Sequence, residues 1–435
     1  RHEDISAFFQ DQYIEVRVRA ALGERLDSVL AAPLSDFLQV EHTEQLDAVA
    51  QIISQKLLSL LDSHETRQMI VNFLKNYVTR ITKGGEQTTG EVIEEVMGAE
   101  LFDKYRMRLK EVLVAAFHSA ETTQFVDRMV DQHGFSRSYL NGLFSKVERQ
   151  DGVLEILNRP SAKGPARPGS WTRYRNIFMT EQRMREGAEF MTTYRKELNR
   201  AYQQYGVPPE YITAIIGVET YYGGNIGKVT VLDALATIAF DYPRRSKYFT
   251  SELEQFLLMT REEGFDPKSP VGSYAGAMGL GQFMPSSFRR YAVDFDGNGR
   301  RDLWNPVDAI GSVANYFSAH GWQKGGEVAV PASFSSTGYR SMKTGYKSKH
   351  SLGTLRKAGI RPKGSVDSDR VSLLKYSTYD GDELWLGMHN FYVITRYNHS
   401  SKYALAVHQL AQEVKRRHDR LRVAYERGTD SREAS

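Results

Sequence analysis

The chain has no cysteine among its 435 residues. That excludes disulfides, thiolate metal sites, a cysteine nucleophile and an acylated N-terminal cysteine, and it leaves the redox compartment open. No uninterrupted apolar run reaches the roughly 18 residues needed to span a bilayer. No Lys/Arg run is dense enough to mark a nucleic-acid partner. The net charge of +4 is mild for this length and suits an anionic polymer without requiring one. The opening Arg1-His2-Glu3-Asp4 carries no signal-peptide pattern, and without an initiator Met it suggests a processed or trimmed chain. The glycine-rich stretch from Gly272 to Gly281 lacks the lysine and the leading strand of a phosphate loop.

What is present reads as a soluble, mainly α protein of two or three domains, with an apolar fraction of 41% and a charged fraction of 25%. Residues 1–120 carry helical stripes, Leu46 to Leu61 and Met69 to Ile81 among them, with no catalytic cluster. They read as an all-helical spacer or docking region that could meet a protein partner. A module over 121–427 follows, and 428–435 is a polar tail. Within the module the pattern predicts one long helix from Thr180 to Tyr205 and helices over Val231–Phe240, Ser251–Glu263 and Asp308–His320. A final helix closes at Lys415-Arg416-Arg417. Residues 323–390 are richer in Gly, Ser, Thr and Lys, and short runs such as Glu327 to Val330 and Leu384 to Leu386 predict a small β-rich subdomain.

One helix draws the chemistry together. Ile212, Ile215, Ile216 and Glu219 fall at i, i+3, i+4 and i+7, so an apolar face ends in a carboxylate. Burial would favour the protonated form of Glu219, as a general acid requires. A Glu at such a place is more often solvated or ion-paired, and the helix alone does not decide. In the glycine-rich stretch, Ser273 and Gln282 offer short polar contacts; a tight inter-helix turn fits that spacing equally well.

Asp294-Phe295-Asp296-Gly297-Asn298-Gly299-Arg300 has the oxygen alternation and the central glycine of a calcium loop. Asp294, Asp296 and Asn298 would supply side-chain oxygens and Arg300 its carbonyl. The Glu expected at position twelve is replaced by Asn305, and Asp308 could close a longer loop, 294–308. Such a calcium ion would brace the fold; no organic cofactor is called for.

From about Thr122 to Arg417 the chain resembles the B-type lytic transglycosylases of bacterial peptidoglycan. The resemblance rests on Phe125 to Val130 with His133-Gly134-Phe135, Ile216 to Thr220, Leu232 to Thr237, Tyr242 to Arg245, Gly276 to Gly279, Gly281 to Ser287, Trp304 to Tyr316, and Tyr397 to Ser400. It implies a lysozyme-like α+β core of the goose type, an EF-hand-like loop and a small β subdomain. It also implies Glu219 as sole acid/base, cleaving between N-acetylmuramic acid and N-acetylglucosamine with closure of a 1,6-anhydro ring. By the same resemblance, Tyr174, Ser273, Gln282, Tyr316, Tyr397, Asn398 and Tyr403 line sugar subsites, and Arg244 and Arg245 meet acidic or peptide groups of the strand. Periplasmic location follows from the family alone. The chain departs from the family in lacking a lipid-anchoring Cys, in its Tyr221-Tyr222 pair, and in residues 1–120. A hydrolase using Asp233 or Asp241 as a second carboxylate, and a non-catalytic glycan-binding scaffold, are the competing readings.

Overall fold

The computed structural model describes residues 121–159 and 167–433, without the side chains of 243 and 424–433. The helical stripes expected within 1–120 and the end of the polar tail lie outside the described residues. Two compact units divide what is described. The smaller is formed by residues 121–157 together with Leu235–Glu254, and the larger by Asn158–Ala234 together with the chain from Gln255 on.

In the smaller unit, helices α1 (121–133), α2 (Arg137–Phe144) and α3 (Asp151–Asn158) are short and aromatic at their contacts. Ser136 caps α2 by accepting from the Tyr139 amide. Phe125, Phe144 and Phe240 meet edge to face at 5.6–6.0 Å. Asp241 is held by Arg149 at 3.2 Å.

The larger unit continues with α4 (Ser170–Phe178), α5 (Glu181–Thr193), α6 (Arg195–Tyr205) and α7 (Pro209–Thr220). The single helix expected over Thr180–Tyr205 is two helices: Tyr194 leaves helical geometry at φ −103°, ψ 29°, where it caps α5 and opens α6. Pro208 and Pro209 start α7, because a proline in the first turn forfeits only an amide that would be unpaired anyway. From Glu210 to Val218 every residue of α7 is buried. A helix apolar all round must be covered all round, and α7 packs against α5, α6, α11 (Pro306–Ala319) and α14 (Ser401–Glu433).

Helices α8 (Val231–Asp241) and α9 (Ser246–Glu263) continue the chain. A two-stranded ribbon pairs β1 (Val229–Thr230) with β2 (Val271–Gly272). A short α10 (Pro285–Tyr291) precedes the acidic loop, and α11 follows it. Helix α11 starts two residues earlier than the pattern predicts, because Asn305 caps it by accepting from the Val307 amide.

The expected β-rich subdomain is a five-stranded antiparallel sheet in the order β4-β6-β7-β3-β5. Its strands are β3 (Ala329–Phe334), β4 (His350–Ser351), β5 (Ile360–Pro362), β6 (Arg370–Thr378) and β7 (Gly381–Gly387), with the short helix α12 (Leu352–Lys357) between β4 and β5. Val330, Leu355, Ile360, Leu373, Leu384 and Leu386 make its core.

The chain then returns through α13 (His389–Tyr397) to α14. Lys415-Arg416-Arg417 does not end α14, which runs on to Glu433. These cations are neutralised sideways instead: Lys415 bonds Glu210 at 2.8 Å, and Arg417 bridges Glu413 and Glu181. Deeper down, the Tyr211 hydroxyl pairs with His408 Nδ1 at 2.8 Å. Burial pushes that imidazole down to about 4, so it stays neutral and locks α7 to α14.

Candidate active site

Glu219 sits one residue before the end of α7, between the buried Val218 and Thr220. Its side chain is partly accessible, yet enough protein surrounds the carboxyl for burial to push it up to about 7, against the pull of a hydrogen bond from Tyr403. The Tyr403 hydroxyl donates to Glu219 Oε1 at 2.5 Å. Tyr403 is fully buried in α14, and burial followed by the Glu219 charge holds its phenol well above the usual range. It remains a donor at every working pH.

The end of α7 is tied to the glycine-rich loop. Thr220 Oγ1 donates to the carbonyls of Ile216 and Leu280, at 3.1 and 2.9 Å. One residue on, the Gly281 carbonyl accepts from the Tyr397 hydroxyl at 2.6 Å. Tyr397, on α13, has its phenol raised by burial and then by Glu219. Gln282 Nε2 donates to the Gly279 carbonyl at 3.0 Å and to the Ile226 carbonyl at 3.3 Å. Carbonyls 279, 280 and 281 are thus each held by a different side chain, and the loop is clamped beside Glu219.

The glycines serve this clamp rather than a phosphate. A Cβ on Gly272 would meet the Ala277 carbonyl at 2.2 Å, and one on Gly279, at φ +65°, would meet Leu303 O at 2.4 Å. Close approach of backbone to backbone within the fold accounts for glycine at these two positions. Tyr221, Tyr222 and Gln282 have positive φ, at 54°, 59° and 52°. They are the non-glycine residues with that geometry among the described residues, and they flank the end of α7 or lie in the clamped loop. Strain of this kind gathers at functional sites.

The other expected subsite residues are placed variously. Ser273 is buried, and its hydroxyl accepts from the Ala275 and Ala277 amides at 3.3 and 3.0 Å, so it shapes the loop. Tyr316 packs on Tyr397 with ring centroids 4.8 Å apart and donates to the Arg396 carbonyl at 2.7 Å. Asn398 keeps a buried Oδ1 without a hydrogen-bond partner. Tyr174 is only 6% exposed and packs between Trp171 and Phe178, so it is a core aromatic more than an open sugar platform. Arg244 and Arg245 fall in a 3-10 turn, Pro243–Arg245, in the other unit; Arg244 is exposed and Arg245 lies 5.1 Å from the Phe249 ring. As for a second carboxylate, Asp233 accepts from Thr230 at the start of α8, and Asp241 is paired with Arg149.

Thr220 and Tyr222 were not singled out as site residues from the sequence. Thr220 is a buried hydroxyl next to Glu219, and a polar residue adjoining an acid at the end of an apolar helix is the signal that could have found it.

In the acidic loop, carboxylate oxygens of Asp294, Asp296 and Asp308 lie within 4.8 Å of one another. Asp294 accepts from the Gly297, Asn298 and Gly299 amides. The fully buried Asp308 reaches back from α11 and accepts from the Phe295, Asp296 and Asp302 amides at 2.7–3.1 Å. Asn305, at the twelfth position, donates to Asp296 at 2.6 Å. The Arg300 guanidinium lies over the Phe265 ring at 4.6 Å, away from the loop centre, which leaves its carbonyl as the group it can offer. Hard oxygens converging on one point fit calcium.

A family model described as the transglycosylase SLT domain matches residues 118–412. Membrane-bound lytic murein transglycosylase B of Escherichia coli (strain K12) is 51% identical over 297 residues, 67% of this chain and 81% of that protein. The solved E. coli lytic transglycosylase SLT35 in complex with calcium shares 50% identity over 68% of this chain and 93% of that one, with a TM-score of 0.65. Soluble lytic transglycosylase SltB1 from Pseudomonas aeruginosa shares 46% identity over 68% and 98% of the two chains, with a TM-score of 0.64. The lysozyme-like core implied by the sequence motifs is therefore the fold of this chain. With a model matched over most of its described length and a relative identical at half of the aligned positions, the chain belongs to the transglycosylase SLT domain family.

Proposed function

We propose that this chain is a lytic murein transglycosylase in which Glu219 acts alone, first as acid and then as base. The observation that carries this is a single carboxyl raised to about 7 by burial rather than by a neighbouring acid, with Tyr403 fixed on one oxygen. At neutral pH such a group is present in both protonation states, as an alternating acid/base needs. Protonated Glu219 gives its proton to the glycosidic oxygen between N-acetylmuramic acid and N-acetylglucosamine. The bond from that oxygen to the anomeric carbon breaks as the substrate's N-acetyl oxygen closes on the carbon. Glu219, now a carboxylate held by Tyr403, takes the proton of the C6 hydroxyl. That oxygen then displaces the N-acetyl oxygen and closes the 1,6-anhydro ring. No water is consumed, so the second carboxylate of ordinary glycosidases is not needed.

The clamped loop supports the positioning. Gln282 retains its amide oxygen for a sugar N–H, Asn398 offers the unbonded Oδ1, and Tyr316 and Tyr397 present ring faces and edges to sugar. The substrate places the enzyme's action in the bacterial cell envelope, on the periplasmic side. No helix among the described residues is long and apolar enough to cross a membrane. Mass spectrometry of purified sacculi after digestion tests the reading. Anhydro-muropeptides are expected; reducing-end N-acetylmuramic acid in their place would make the enzyme a hydrolase.

The acidic loop is assigned a structural calcium held by Asp294, Asp296, Asn298, the Arg300 carbonyl and Asp308. Bound calcium would supply charge compensation for carboxylates already gathered together, and no catalytic step passes through it. At a hundredfold excess over its Kd, calcium should stabilise the fold by about 2.7 kcal/mol, visible as a rise in Tm. Asp296→Ala should erase the rise, and a wild-type Tm indifferent to calcium and chelator would remove the assignment.

A further inference from the structure

A polar pocket of about 390 Å³ opens beside Tyr316, lined also by Arg290, His320, Arg396, His399 and the two serines of the Pro285 turn. No lining residue is an acid. The Arg290 guanidinium rests 5.4 Å from the Tyr291 ring, and that of Arg396 5.1 Å from the Tyr392 ring while donating to the Tyr392 hydroxyl at 3.1 Å. Neither forms an ion pair with a carboxylate among the described residues. His399 lies against Arg396, and His320 Nδ1 is spent on the Tyr316 carbonyl at 2.7 Å. Both imidazoles are held below their usual range, by burial first and by the guanidiniums as well. Elsewhere the larger unit pairs its buried-edge arginines, as with Arg289 on Glu262 and Arg301 on Glu263. Two unpaired guanidiniums around one cavity repel each other unless an anion enters.

We propose that this pocket binds a carboxylate of the peptide carried by the glycan strand, gripped between Arg290 and Arg396. The inference rests on the transglycosylase reading and extends it from the sugar backbone to the stem peptide. Tyr316 forms a wall of the pocket and packs on Tyr397, whose phenol feels the Glu219 charge, so the pocket adjoins the residues around Glu219. A planar carboxylate matches the donor fork of a guanidinium. The Tyr291 and Tyr316 rings give the neighbouring aliphatic part of a peptide something to lie on.

The test is calorimetric titration of the Glu219→Gln protein with a single disaccharide carrying its stem peptide, which contains no bond for this enzyme to cut. The comparison ligands are the same muropeptide with its carboxylates amidated, and inorganic phosphate. Amidation is expected to weaken binding about tenfold or more, the loss of charge-assisted hydrogen bonds. Arg290→Gln with Arg396→Gln should abolish that difference between free and amidated peptide, and the paired Lys substitutions should restore part of it. If the double Gln protein does not fold, Arg290→Gln alone carries the comparison, since that side chain is exposed. A double variant that still discriminates against the amidated peptide overturns the proposal. So does phosphate that displaces the muropeptide at equal concentration, which would mark a general anion pocket. Retained strand cleavage by Glu219→Gln would instead defeat the acid assignment and leave this titration standing.

Discussion

Glu219→Gln is expected to cut release of anhydro-muropeptides from sacculi by about 10³-fold or more, since one side chain serves as both acid and base. Gln keeps the shape and can still accept from Tyr403, so substrate binding should survive while kcat collapses. Cleavage begins from protonated Glu219, and its carboxyl is raised to about 7; kcat/KM should therefore decline as pH rises through that value. Tyr403→Phe removes the one hydrogen bond that pulls this pKa down. The alkaline limb should then move to higher pH, with kcat reduced because the carboxylate of the second step loses its partner. A limb that moved to lower pH would show that Tyr403 does not stabilise the ionised form. Stability carries the same signature. A carboxyl whose folded pKa lies above its unfolded value of 4.5 costs nothing below 4.5, and stability is lost as pH rises toward and through 7. Glu219→Gln should therefore match wild type at pH 4 and exceed it at pH 8, by on the order of 1–3 kcal/mol after allowance for the carboxyl's remaining contact with solvent. Melting at the two pH values measures it, and equal Tm differences at both would contradict the burial.

What the sequence made legible follows from how local each contact is. The acidic loop could be read by spacing because its hydrogen bonds join residues two to five apart, as from Gly297 and Gly299 to Asp294. Asp308 lies outside that range, accepting from amides 6 to 13 positions back, and spacing offered it only as a substitute for the missing Glu. Glu219 could be read as a carboxylate carried toward the interior, although the pattern showed one apolar face and α7 is buried on all sides. Its partner Tyr403 stands 184 positions away, and no periodicity joins the two; the family resemblance implied only that Tyr403 lines a sugar subsite. The Tyr397 contact with Gly281 spans 116 positions and was hidden for the same reason. Helix ends were missed for two reasons. The break at Tyr194 follows Thr192 and Thr193, whose hydroxyls donate to the Ala188 and Glu189 carbonyls four residues back, a contact that bends helices; and α14 continues past its basic cluster because acids on other helices neutralise it.

The Tyr221-Tyr222 pair acquires a physical reason and the second large prediction. Both residues are left-handed, so the chain doubles back at the end of α7, with the Tyr222 amide reaching the Ile216 carbonyl at 3.3 Å. The Tyr222 ring folds against α7 and α5, and its hydroxyl donates to the Arg183 carbonyl at 3.0 Å. Glycine is needed where the ring lands. A Cβ on Gly217 would come within 2.6 Å of it, and one on Gly187 within 2.3 Å of its hydroxyl oxygen. Gly217→Ala should expel the ring and cost about 2–4 kcal/mol. It should also lower kcat, because Thr220, which ties Glu219's helix to Leu280, lies inside the displaced turn. Once Tyr222 is truncated the sign should reverse. In a Tyr222→Ala background the three atoms nearest that Cβ, all of the Tyr222 ring, are gone, and an interior helical Gly→Ala change should then stabilise by about 0.5–1 kcal/mol. A double-mutant cycle by chemical denaturation should therefore return a coupling above about 2 kcal/mol. Additive costs would mean that Gly217 is required by something other than Tyr222. The strained pair would then be a by-product of the turn, not the contact that fixes the end of the helix bearing Glu219.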